Sequence, residues 1–425
     1  MKTKSNLAKR KAIKSWISYD WANSVYALVI STAVFPIYFS ANSPELISIF
    51  GFDIKNSALY TAVMSCSFIL ISLLSPILSS IADLGGKKKK FMKFFSNLGA
   101  VSCLAMYFFT PERYGLALIL SFLASIGFSG SLVFYNAYLP ELVPKKLQDN
   151  VSARGFAMGY LGGAILLISI LALAQFHDTL SISESYAYRL GFLLVGLWWL
   201  GFSQYSFLHL PANPYRKTIP KNLWKNSTKE LRSVWKSFQS HPFLKPYLKA
   251  FFLFSAGVQT IILTATLFGG KVLKLPSENL IITILLIQFV AIPGSHLFAY
   301  LAKKQGNFKS LYISTFIWML ICLGSFFITS GLQFYLFGGL AGLVLGGIQS
   351  VARSTYSKLL PQTEDHTTFF SFFDVLEKYS IVIGTALVAI IDQFIDLKYA
   401  SLLFALFFIS ASLILVRLHN KQHSK

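Results

Sequence analysis

Long apolar runs separated by short polar breaks repeat along the whole chain. Crossing the hydrocarbon of a bilayer takes about 20 mostly apolar residues. On that measure the pattern predicts twelve spans, roughly 16–39, 57–81, 91–110, 114–139, 152–174, 188–210, 247–270, 279–301, 309–329, 332–357, 369–392 and 399–418. The one long polar segment, Pro211 to Lys249, falls halfway along. It carries Arg216, Lys217, Lys221, Lys225, Lys229, Arg232, Lys236, Lys245 and Lys249, with Glu230 as its acid. The predicted organisation is an all-α membrane protein of twelve transmembrane helices: an N-terminal six-helix bundle over 1–210, a basic cytoplasmic linker over 211–246 and a C-terminal six-helix bundle over 247–425.

Within the linker, Ser227-Thr-Lys-Glu230 reads as a capping box opening a short helix, which His241-Pro242 would close. Trp224, Leu231, Trp235 and Phe238 recur at helical spacing while the lysines fall mainly elsewhere. Such a helix suits the anionic cytoplasmic leaflet; a solvated basic linker is the plainer alternative.

Charged residues make up 13 % of the chain, against about a quarter in soluble domains. The net charge of +21 does not point to nucleic acid, because the basic residues sit in the gaps between apolar runs and form no polar face. With the N-terminus inside, the tails and cytoplasmic loops collect most of the 38 Lys/Arg, and the outer breaks hold few, such as Lys55, Arg113, Lys271, Lys274 and Lys398. That asymmetry predicts cytoplasmic termini in the cell membrane. The basic N-terminus resembles a signal peptide, but the run from Trp16 to Phe39 exceeds an h-region and carries Asp20 and Pro36, so a retained first span is expected. Cys66, Cys103 and Cys322 lie inside apolar runs without metal-ligand or paired spacing. HExxH, GxSxG and P-loop patterns are absent. Neither an enzyme nor a cofactor or metal is expected; the expected partners are a small-molecule substrate, protons and the lipid bilayer, with the chain a monomer.

The halves repeat faintly. Ala82-Asp-Leu-Gly-Gly-Lys-Lys after span two matches Ala302-Lys-Lys-Gln-Gly-Asn-Phe after span eight, pairing Gly86 with Gly306; Tyr138-Leu-Pro140 matches Leu359-Leu-Pro361, and Gly163 pairs with Gly384. Two bundles of common ancestry place a substrate between them near the midplane.

The two-times-six layout and Asp83-Leu-Gly-Gly-Lys-Lys-Lys-Lys90 resemble the major facilitator superfamily and its loop signature between spans two and three. More narrowly, Tyr19-Asp-Trp-Ala-Asn-Ser24, Ser152-Ala-Arg-Gly155, Gly159-Tyr-Leu-Gly-Gly163, Gly257-Val-Gln-Thr260 and Gly347-Ile-Gln-Ser-Val-Ala-Arg-Ser354 look like the bacterial branch related to fungal autophagy-associated vacuolar effluxers. The chain departs from the pattern at Ser79 and Leu84 in the loop signature, and at Ser255-Ala256, where many relatives have Asn-Asp. The resemblance implies secondary transport by alternating access, with amino acids exported by the fungal relatives. By the same resemblance, the loop residues Asp83, Gly86, Lys87 and Lys88 belong to a gate in which Asp83 meets the start of span eleven near Phe369.

A charge at the membrane centre costs about 2.5 to 3.5 kcal/mol, so charges within spans need a cavity or a partner. Span eleven carries Asp374, Glu377 and Lys378, with Asp374 and Lys378 on one face at i,i+4. A self-neutralising packing pair is the structural alternative to a place in the transport pathway. Asp20, Asn23 and Tyr26 are spaced to face one side of span one; an interfacial cap at Asp20 is the alternative. Asn136, Gln259 and Gln288 can bond a solute or a neighbouring helix. Arg154 and Arg353, with Gln349, are assigned to gating or packing. Charges of both signs suit a zwitterion such as an amino acid, with Lys378 meeting a carboxylate and one of the acids an amine or the coupling proton. A peptidoglycan-fragment or lipid carrier, and a non-transporting receptor or scaffold, remain the alternatives. The stripes Gly155/Gly159/Gly163 and Gly338/Gly342/Gly346 read as close helix contacts.

Overall fold

A computed structural model describes residues 2–49, 51–212 and 222–424, with the side chains of 2–6, 223, 224 and 277 outside that description. Besides an 18-residue linker helix (Leu223–Ser240), twelve long helices run in chain order among these residues: α1 (Lys2–Val25), α2 (Asn56–Leu84), α3 (Lys88–Ala105), α4 (Tyr114–Asn136), α5 (Gln148–Gln175), α6 (Glu184–His209), α7 (Leu244–Lys271), α8 (Ser277–Gln305), α9 (Asn307–Ser325), α10 (Gly331–Leu359), α11 (His366–Phe394) and α12 (Ala400–His423). All but α11 belong to segments long and apolar enough to cross a membrane. Helix α11 spans 29 residues but carries the charged residues Asp374, Glu377 and Lys378. Helices suit this solvent because every backbone group is satisfied within the element.

Pro36 shapes the end of α1. Its ring lacks an N–H and collides with the carbonyl four residues back; the chain passes through π-helical turns over Tyr26–Ala33 and restarts as helix over Phe35–Ala41. An antiparallel hairpin, β1 (Leu46–Ile49) paired with β2 (Phe52–Lys55), precedes α2 and adds a strand element to the expected all-helical chain. Gly86 and Gly306 close the equivalent α2–α3 and α8–α9 turns, both at positive φ (60° and 91°), where a side chain would be strained.

The glycine stripes bring backbones together. A Cβ on Gly159 would collide with the Ser24 Oγ of α1. On α10, a Cβ at Gly342 would sit 2.7 Å from the Ile287 carbonyl oxygen of α8, and one at Gly346 would strike the Ala291 carbonyl oxygen.

The linker departs from the expectation at its start. Its helix, Leu223–Ser240, ends at His241 as expected but begins ahead of Ser227, with Asn222 at the N-cap. Ser227 therefore sits inside the helix, past the position from which a capping side chain serves the free N–H groups of the first turn, and the capping-box reading fails. The chain uses a capping box at Ser330 and Gln333 instead, at the start of α10. Part of the apolar face packs against the protein, while Trp235 stays exposed. Val234 and Phe238 are buried, and Phe238 packs its ring 5.3 Å from Phe369 and 5.2 Å from Phe372 of α11. Linker residues 213–221, including Arg216, Lys217 and Lys221, and the Trp224 side chain lie outside the described residues.

The chain divides into two compact units. One comprises 1–75, 86–135 and 158–216; the other comprises 76–85, 136–157 and 217–425. The second unit therefore holds, besides the whole second half, the C-terminal end of α2 and the α4–α5 connection. Its core is aromatic, with Phe251 stacked on Phe373 at 4.0 Å and Trp318 on Phe408 at 5.7 Å.

Candidate functional site

In the second unit, α11 carries the charges inward. Asp374 and Lys378 are buried, one helical turn apart, and the Lys378 Nζ lies 3.7 Å from Asp374 Oδ1 and 3.8 Å from Glu377 Oε2. Gln259 of α7 donates to Glu377 Oε1 at 2.9 Å. Two carboxylates thus flank one ammonium, leaving a formal excess of one negative charge. Asp374 Oδ2 is buried without a hydrogen-bond partner among the described residues. Gln288 is half-buried on α8.

In the first unit, Asp20 is buried and accepts a 2.7 Å hydrogen bond from the Tyr135 hydroxyl of α4. Trp16 stacks on the same tyrosine at 4.6 Å and donates its indole N–H to the Tyr135 carbonyl at 2.9 Å. Asn23 on α1 and Tyr26 at the start of the π-helical turns that follow it are buried, and the Tyr26 ring lies 4.9 Å from Phe128 and 5.6 Å from Trp199. The sequence does not connect Tyr135 with Asp20, 115 residues away.

The residues assigned to gating fall into several environments. Asp83 Oδ2 accepts the backbone N–H of Thr368 at 2.8 Å, and the Thr368 hydroxyl lies 3.0 Å from the same oxygen. Gly86 makes the turn, Lys87 is exposed and Lys88 is fully buried. Arg353 is buried on α10; its Nε and Nη2 donate to the Oγ and carbonyl of Ser152, each at 3.0 Å, and its Nη1 reaches Asn136 Oδ1 at 3.4 Å. Asn136, expected on the solute pathway, is thus brought to Arg353. Gln349 is half-buried, whereas Arg154 is exposed on α5.

Sequence reasoning misses a second ion pair of the same unit. Asp149, buried at the start of α5, binds the Lys358 ammonium, and Asn307 bridges them, donating to Asp149 Oδ1 at 2.8 Å while accepting from Lys358 at 2.9 Å. Asp149 and Lys358 read as loop charges because they flank predicted spans and are far apart in sequence.

A solved structure and related chains agree with this architecture. The major facilitator superfamily transporter FucP, in its outward conformation, superposes with a TM-score of 0.68 at 15 % identity, covering 96 % of this chain and 98 % of that one. At that identity the likeness concerns the fold, which is the major facilitator fold. YxiO, an MFS-type transporter of Bacillus subtilis (strain 168), is 34 % identical over 387 residues, covering 90 % of this chain and 89 % of the relative. Autophagy-related protein 22 of Yarrowia lipolytica is 27 % identical over 84 % of this chain and 74 % of its own. The family model described as vacuole effluxer Atg22 like matches residues 8–425, and the chain, a multi-pass membrane protein, belongs to that family.

Proposed function

We propose that this protein is a secondary active transporter that exports a small zwitterionic solute, such as an amino acid, across the cytoplasmic membrane in exchange for protons. The halves 1–210 and 247–425 are the bodies that alternate access, and both termini face the cytoplasm. The observation that carries this reading is the cluster of buried Asp374 and Lys378 with half-buried Glu377 and Gln259: charges placed inside a spanning helix cost free energy that a packing role does not require. The excess carboxylate supplies a place for an amine or a proton, and Lys378 supplies the charge for a carboxylate.

The test is a thermal-shift screen of the purified protein against amino acids, peptides, nucleosides and sugars at two pH values, followed by counterflow in proteoliposomes with any stabilising solute. Stabilisation by an amino acid with counterflow supports the proposal. Stabilisation by none of these solutes, or binding without counterflow, overturns it.

A further inference from the structure

Glu230 is the single acid between Pro211 and Lys249, and it turns away from the basic face of its helix, where Lys225, Lys229, Arg232 and Lys236 are exposed. Its Oε2 accepts from the Ser80 hydroxyl of α2 at 2.8 Å, and its Oε1 accepts from the Thr368 hydroxyl of α11 at 2.9 Å. A hydroxyl carries one proton. Thr368 can therefore serve both acids at once by giving its hydroxyl proton to Glu230 and its backbone N–H to Asp83. The two carboxylates share the first turn of α11, whose dipole favours negative charge. One helical turn and two turns further along the linker helix, Val234 and Phe238 are buried, the latter against Phe369 and Phe372.

We infer that the linker helix is a latch on the junction between the end of α2 and the start of α11, with Glu230 as its positioning residue. Separating α2 from α11 breaks the Ser80–Glu230–Thr368 bridge, so the linker sets how readily the junction opens. The consequence for transport rests on the alternating-access reading; the latch itself does not.

The test uses a single cysteine at buried Ser79 of α2, in full-length protein lacking Cys66, Cys103 and Cys322, labelled by a maleimide in detergent. Losing a charged hydrogen-bond pair predicts labelling about tenfold faster in Glu230→Ala, equivalent to ~1.4 kcal/mol in the closing equilibrium. Glu230→Gln, which keeps an acceptor, falls between, and Lys229→Ala labels as the parent does. Phe238→Leu gives a second route to the same acceleration should Glu230→Ala not fold. Unchanged labelling in monodisperse Glu230→Ala and Glu230→Gln overturns the latch, as does equal acceleration at a cysteine placed at buried Ser314, which would mean general loosening. The assay needs no solute: absence of transport by the parent protein would count against the proposed function alone.

Discussion

Asp83 and Thr368 meet across the end of α2 and the start of α11, the carboxylate taking the backbone N–H at 2.8 Å. A charge at a helix N-terminus is worth about 0.3 to 1 kcal/mol, up to ~2 when partly buried, and Asp83 is 6 % exposed. Asp83→Asn keeps the shape and removes the charge. It should raise the inward-open population, measured as a change in the distance distribution between spin labels on the two halves; an unaltered distribution contradicts a gating role.

Close backbone contact between α8 and α10 leaves no room at Gly346, where a Cβ would strike the Ala291 oxygen, whereas at Gly339 the nearest atom is Leu286 Cδ2 at 3.8 Å. Overpacking costs about 1 to 3 kcal/mol. Gly346→Ala should lower the melting temperature clearly and Gly339→Ala should not. Equal melting of the two variants would refute the packing account.

His241 predicts a pH dependence. Its Nδ1 accepts the backbone N–H groups of Phe243 at 3.4 Å and Leu244 at 3.1 Å at the start of α7, bonds that only the neutral ring can accept there. Burial, and then the nearby Lys145 ammonium, push its pKa below the ordinary histidine value. With the folded pKa depressed, the contribution is fully present above the ordinary value and is lost as pH falls through the folded one. His241→Ala should therefore cost about 0.5 to 2 kcal/mol in mildly alkaline buffer, the range for losing a cap, and progressively less as the pH drops below the ordinary histidine value. A cost independent of pH would show that the ring acts by packing.

The spans are legible because the hydrocarbon imposes a length and an apolarity that a single sequence displays, and the equivalent turns at Gly86 and Gly306 are legible as a repeat. Contacts between distant residues are not. Helical spacing shows that Phe238 belongs to an apolar face but not that Phe369 and Phe372 cover it. Likewise, Ser227 and Glu230 match a local capping pattern, while Glu230 is used by Ser80 and Thr368. The pairing of Asp374 with Lys378 follows from the sequence because i,i+4 spacing on a helix is itself a contact.

That pair permits the most discriminating mutant cycle. Removing one member of a buried ion pair costs about 3 to 5 kcal/mol because a charge is left without compensation, whereas replacing both by apolar groups is often neutral. If Asp374 and Lys378, 3.7 Å apart, only hold helices together, Lys378→Ala should fail and Asp374→Ala/Lys378→Ala should recover both stability and transport. The proposed solute site predicts a different split: the double variant regains a monodisperse elution profile and a melting temperature near the parent's, yet counterflow stays abolished, because the ammonium that meets the solute carboxylate is gone. Glu377 sharpens the distinction. It is held by Gln259 at 2.9 Å and remains in the double variant as an uncompensated carboxylate, so Glu377→Gln in that background should improve stability further without restoring counterflow. Recovery of transport in the double variant would reduce Lys378 to a packing residue.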